Sequence, residues 1–177
     1  MVKESHSNEY LDSYFDHIYV LNLDRRGDRW NNTKSRLADL VCDFSNNVTR
    51  FSATDGQDSG VREAWRRLPY FLANSGVLAV LFSIQRLLLD ARQKGWKRFL
   101  ILEDDVLFHL DFKRKWSHCQ TQIPAKWKLL FLGNSMHSWR YKERCRYYPG
   151  FLTTKGSIPG AFALGIDSSV INDLWEG

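Results

Sequence analysis

Five short apolar segments alternate with stretches of helical periodicity, and this alternation constrains the fold more than any other feature. The segments are HIYVLNL (17–23), NVTRFSA (47–53), KRFLILEDD (97–105), KLLFLGN (128–134) and GAFALGI (160–166). Their β-branched and aliphatic residues read as strands, and the longest apolar runs read as buried ones. Asp28 is placed to cap a helix with Trp30, Leu37, Leu40 and Val41 at helical spacing. REAWRRLPYFL (62–72) holds a short helix ended by Pro69. Ser75 is placed to cap a long helix with Val77, Val80, Leu81, Ile84, Leu87, Leu88 and Ala91 on one face, stopped by Gly95. Lys113–Gln122 reads as a helix, residues 135–148 as a basic aromatic loop, and Asp167 or Ser168 as the cap of a last helix. Strands alternating with helices predict an α/β layer fold with a mainly parallel sheet.

The length of 177 residues suits one domain. The last helix has scarcely two turns before Gly177, so a truncated product or one domain of a longer chain is expected. A net charge of +5 suits a polyanionic partner such as nucleic acid, lipid headgroups or a phosphorylated small molecule, or merely keeps the protein soluble. The three cysteines form no CxxC pair and no zinc spacing, which suits reduced thiols. Met1–Asp16 is polar and carries no signal peptide, and no apolar run nears the roughly 20 residues of a membrane span. A cytoplasmic location is therefore expected, and the sequons at Asn31 and Asn47 read as chance matches.

One strand ends unusually. FLILEDDVLF (99–108) sets Glu103, Asp104 and Asp105 inside the most apolar part of the chain. Adjacent carboxylates repel, and burying one unpaired costs several kcal/mol. In parallel α/β sheets ligands bind beyond the carboxyl ends of the strands. Asn22, Asp24, Arg25 and Arg26 follow the first strand, and Thr54 and Asp55 follow the second. Acids and arginines at one edge suit a Mg²⁺ or Mn²⁺ ion meeting a phosphate. The competing reading is an internal ion-pair network in which Arg25 or Arg29 neutralises the acids. A P-loop and a GxGxxG motif are both absent. The acids fit neither a phosphatase Asp-x-Asp nor a receiver-domain pair, which would lie on the first strand.

In order, IYVLNLDRRGDRW, FSATDG, SGVLAVLFSIQRLLLDARQKGWKRFLILEDDVLF and GAFALGI resemble the sequence blocks of glycosyltransferase family 25. That family includes lipooligosaccharide and procollagen galactosyltransferases and related viral enzymes. The resemblance implies a GT-A-like, Rossmann-like α/β/α sandwich, a UDP-sugar donor, Mn²⁺ or Mg²⁺, and transfer with inversion. By the same match Asp105 is the metal ligand, and Glu103 and Asp104 face the ribose and the surroundings of the metal. Asn22, Arg25 and Arg29 line the nucleotide site, and Asp55 falls where such folds hold the base. The acceptor is expected to be a glycan, a lipid-linked sugar or a protein hydroxyl, with the enzyme peripheral to a membrane rather than spanning it. Asp167, His109 and His137 are the candidates for taking the acceptor's proton, although Asp167 reads better as a cap. The chain has Ser83-Ile84 where the family commonly has Ser-His.

Two other classes compete. One is a glycosyltransferase-like domain without activity that serves as a binding module. The other is a nucleic-acid binder, opposed by positive residues that are scattered rather than striped along one helix. No nucleic acid is expected as a partner.

Overall fold

The chain runs through β1 (His17–Asn22), α1 (Gly27–Leu37), α2 (Phe44–Asn47), β2 (Val48–Ser52), α3 (Ser59–Arg67) and α4 (Ser75–Lys94). It continues through β3 (Arg98–Glu103), α5 (Phe112–Gln120), β4 (Leu129–Asn134), β5 (Cys145–Tyr148), β6 (Phe151–Thr154) and β7 (Ala161–Asp167). The computed structural model describes residues 9–68, 74–134, 145–148, 151–154 and 161–171.

Five strands form one sheet in the order β2-β1-β3-β7-β4. β1 pairs in parallel with β2 and with β3. β7 is antiparallel to both neighbours, β3 and β4. The expected parallel sheet is therefore parallel at its core and mixed at one side. Alternation along β1 and β3 splits the core into two layers. Ile18, Val20, Leu100 and Leu102 pack with Leu37 of α1 and Trp116 of α5. Tyr19, Phe99 and Ile101 pack on the other face with Leu87, Leu88 and Ala91 of α4. Burying each large apolar side chain contributes roughly 1.5–3 kcal/mol, so both helix layers are firmly held.

Three local expectations are corrected. Asp28 lies inside the first turn of α1, where its carboxylate pairs with Arg26; the cap position is Arg26, with no side-chain cap bond. Asn74, not Ser75, caps α4 by accepting from the Val77 N–H. Leu87, Leu88 and Ala91 are core, but Val77, Val80 and Leu81 are exposed, and Leu78, Ala79 and Ser83 are buried instead. The reason is that α4 has two partners. Its second half packs on the sheet, whereas Leu78 and Ala79 pack with Val61 and Trp65 of α3. Gly95 does end α4, at φ +73°.

The region read as a loop at 135–148 contains β5, which pairs with β6 as an antiparallel hairpin. His137, most of the 137–150 aromatic segment, and 156–160 lie outside the described residues. Among the described residues no helix is long and apolar enough to cross a membrane.

Candidate active site

The three parallel strands β2, β1 and β3 end on one edge of the sheet. Beyond that edge, residues from 21–29, 53–57 and 103–105 face the first turns of α4 across a cleft of about 440 Å³. Three side chains of α4 hold the post-β2 segment by hydrogen bonds: Ser83, Ser75, and Arg86, whose Nη1 donates to Thr54 Oγ1 at 3.3 Å. Ser83 Oγ accepts from the Thr54 N–H at 2.8 Å and donates to the Ala79 carbonyl at 2.7 Å. Ser75 Oγ donates to the Gly56 carbonyl at 2.8 Å. The approach is so close that a Cβ on Gly56 would meet the Gly76 Cα at 2.7 Å. Glycine is needed at Gly56 for packing.

The acidic triplet does not act as a block. The alternation that sends Leu102 toward α1 and Ile101 toward α4 separates Asp104 from Glu103. Asp104 is 9% exposed and turned toward α1. Its Oδ2 accepts from Asn22 Nδ2 at 2.6 Å and its Oδ1 from Arg29 Nη1 at 3.0 Å. Thr33 Oγ1 of α1 donates to the Asp104 carbonyl at 2.7 Å. Asn22 is fully engaged, because it also donates to the Arg26 carbonyl and accepts from Arg50 Nε at 2.8 Å.

Asp105 and Glu103 remain available to the cleft. The Asp105 side chain is 54% exposed and shares Arg29 Nη1 at 3.1 Å. Glu103 is half-buried, and its carboxylate accepts no hydrogen bond from a described residue. Burial, reinforced by the Asp105 and Asp104 carboxylates, pushes the Glu103 pKa up, with Arg29 opposing. At the cleft mouth Arg25 Nε donates to Asp55 Oδ2 at 2.7 Å, and the Gln57 N–H donates to Asp55 Oδ1 at 2.9 Å. Arg25, and then the Gln57 amide, hold the Asp55 carboxyl below its ordinary range.

Arg25, Arg29, Asp55, Glu103, Asp104 and Asp105 thus line one cleft. Asn22 is buried behind its wall, where it binds Asp104 rather than facing the open space. Asp167 is a correction. Because β7 is antiparallel, Asp167 pairs with Arg98 at the opposite end of β3 from Glu103, about 16 Å away along the strand. There its Oδ1 accepts from the Ser169 N–H and Oγ–H, the cap role, and it lies outside the cleft lining. His109 is exposed in the segment after the triplet and binds the Asp111 N–H, outside the cleft lining. Ser83, Thr33 and Arg50 were not foreseen as site-supporting residues. For Ser83 the signal was present: it stands at helical spacing between Ala79 and Leu87, two apolar residues of α4.

Chemically, the cleft sets four carboxylates beside two guanidiniums. Among the described residues no group of three metal-ligating side chains converges. Asp104 is committed to Asn22 and Arg29, so Glu103 and Asp105 are the triplet carboxylates that could hold a hard cation.

The family model described as Glycosyltransferase family 25 (LPS biosynthesis protein) matches residues 15–155, from before β1 to just past β6. No curated protein matches the chain.

Proposed function

The chain belongs to glycosyltransferase family 25, and from that premise we propose that it moves a hexose, galactose or glucose, from a UDP-sugar to an acceptor hydroxyl. The acceptor is a glycan, a lipid-linked sugar or a protein side chain. The observation that carries this reading is the split of the triplet, which leaves Glu103 and Asp105 facing a cleft whose other polar wall is Arg25 and Arg29. Anion-binding and cation-binding groups meet there, as a metal-bridged diphosphate requires.

In the proposed mechanism Asp105, with Glu103 beside it, would hold Mn²⁺ or Mg²⁺. Such an ion supplies Lewis-acid neutralisation of the departing diphosphate. Arg25 and Arg29 bind phosphate oxygens, and Asp55 lies on the side of the nucleobase. Arg25 must then exchange Asp55 for phosphate as the donor enters, a rearrangement of an exposed ion pair with little intrinsic cost. Asp104 positions Arg29 and does not touch the donor. The acceptor oxygen attacks the anomeric carbon, the bond to the UDP oxygen breaks, and the hydroxyl proton leaves to a base. We include inversion, with attack from the face opposite UDP, as the resemblance implies.

Calorimetric titration with UDP, with and without Mn²⁺, tests the donor site, alongside Asp105→Ala. Metal-dependent binding lost in the variant is expected. Absence of UDP binding under any metal would overturn the reading. The anomeric proton coupling of the product, read by NMR, tests inversion, and a retained configuration would remove that part of the proposal. A second reading has one observation in its favour: Arg29 pairs with both Asp104 and Asp105, the core of an internal ion-pair network. On that reading the domain is inactive and binds neither UDP nor Mn²⁺.

A further inference from the structure

Two leucines stand outside any core directly after the acidic triplet. Leu107 is 76% exposed and Leu110 is 104% exposed. Isolated exposed leucines are ordinary. These differ in being held out by a rigid base. Val106, immediately before Leu107, is buried, and Phe108, between the two leucines, packs on the same core cluster. The Phe108 ring meets Phe112 edge-on at 5.0 Å, and Phe112 stacks over Trp116 at 6.4 Å. The Phe112 N–H closes a turn on the His109 carbonyl at 2.9 Å. The inward residues are anchored, so the outward leucines are presented and not merely loose.

Asp105 and Asp111 flank the leucines, and beyond them on the C-terminal side the charge turns positive. α5 opens with Lys113, Arg114 and Lys115. Lys115 Nζ lies 3.3 Å from His109 Nε2, which brings the basic run onto the leucine-bearing turn. Asp111 neutralises Arg114 at 2.8 Å, but Lys113 and Lys115 have no ion pair among the described residues. Lys113 Nζ instead sits over the Tyr10 ring at 4.7 Å. Exposed apolar side chains followed by lysines without ion pairs match one surface chemistry, an anionic lipid bilayer, which takes the leucines into its acyl boundary and the ammoniums among its headgroups. A protein groove would take the leucines without needing the uncompensated cations.

We propose that the 107–115 turn, through Leu107, Leu110 and the adjoining lysines, docks the protein on an anionic membrane, with the cleft edge at Asp105 two residues from the contact. This inference goes beyond the donor reading and does not depend on it. It favours a lipid-linked acceptor over a soluble one, because membrane contact would bring the cleft edge to the bilayer surface.

The test is sedimentation of the full chain with phosphatidylcholine vesicles, with and without phosphatidylglycerol. Binding is expected only with phosphatidylglycerol, and it should weaken as salt rises. The Leu107→Ser/Leu110→Ser double variant should lose roughly tenfold or more in vesicle affinity. Lys113→Gln/Lys115→Gln should lose several-fold, and an unchanged UDP titration in both variants would show the donor site intact. No binding to anionic vesicles, equal binding to neutral ones, or full binding by the leucine variant would each overturn the proposal. So would a dimer of the free protein that dissociates in the leucine variant, since a second copy would then be the occupant.

Discussion

Asn22 donates a 2.6 Å hydrogen bond to Asp104, joining the ends of β1 and β3 across 82 residues of sequence. Both groups are buried, and Arg50 completes the chain on the far side of Asn22. Replacing Asn22 by Leu leaves an Asp104 oxygen and the Arg50 Nε without their partners. We expect a loss of roughly 1–3 kcal/mol in urea unfolding, because a buried polar group left unpaired retains its desolvation penalty. An unchanged unfolding midpoint would mean that the network is not holding the cleft.

Arg29 is the shared cation of Asp104 and Asp105. Arg29→Met should destabilise the protein by roughly 1–3 kcal/mol, below the figure for a fully buried pair because the Arg29 side chain is 38% exposed. If the acids form the cation site, millimolar Mn²⁺ should raise the Tm of the variant more than that of the wild type. Equal shifts in both proteins would argue that Mn²⁺ does not reach these carboxylates.

Glu103 provides a pH signature. Its folded pKa lies above the ordinary 4.5, chiefly through burial and then through Asp105 and Asp104. The folded state therefore prefers the protonated form. The associated stability is fully present below the unfolded value and is lost as pH rises through the folded pKa. Glu103→Gln, which mimics the protonated form, should be more stable than wild type at neutral pH by roughly 0.5–2 kcal/mol. The advantage should vanish in melts run below pH 4.5. A variant less stable than wild type at neutral pH would contradict this.

Ser83 pins the post-β2 segment through the Thr54 amide. In Ser83→Ala that amide loses its acceptor, and its hydrogen exchange should accelerate about tenfold, for a bond worth about 1–1.5 kcal/mol. UDP affinity should fall several-fold while the amides of β3 keep their protection. If the Thr54 amide stays protected, the segment is held by Ser75, Arg86 and the Gly56–Gly76 contact without Ser83.

Much of this protein follows from local pattern. Short runs of aliphatic, aromatic and β-branched residues mark every strand of the main sheet, and Gly95 marks the end of α4. The six cleft residues from Arg25 to Asp105 were legible because polar residues follow directly on strands predicted to be parallel. Their division of labour was not legible. Three consecutive acids look equivalent until a strand assigns them to opposite faces, and only the pairing of β1 with β3 brings Asn22 to Asp104. The exposure of Val77, Val80 and Leu81 was hidden for a related reason, since α3 competes with the sheet for the first turns of α4.

The sequence by itself determined where the strands of the main sheet and the longer helices lie and which residues carry charge, because those depend on neighbours within a few positions. Tertiary structure alone decided which acid is neutralised and which faces the cleft, and it moved Asp167 to the far edge. Those outcomes depend on strand order and strand direction, which are settled by packing between segments tens of residues apart.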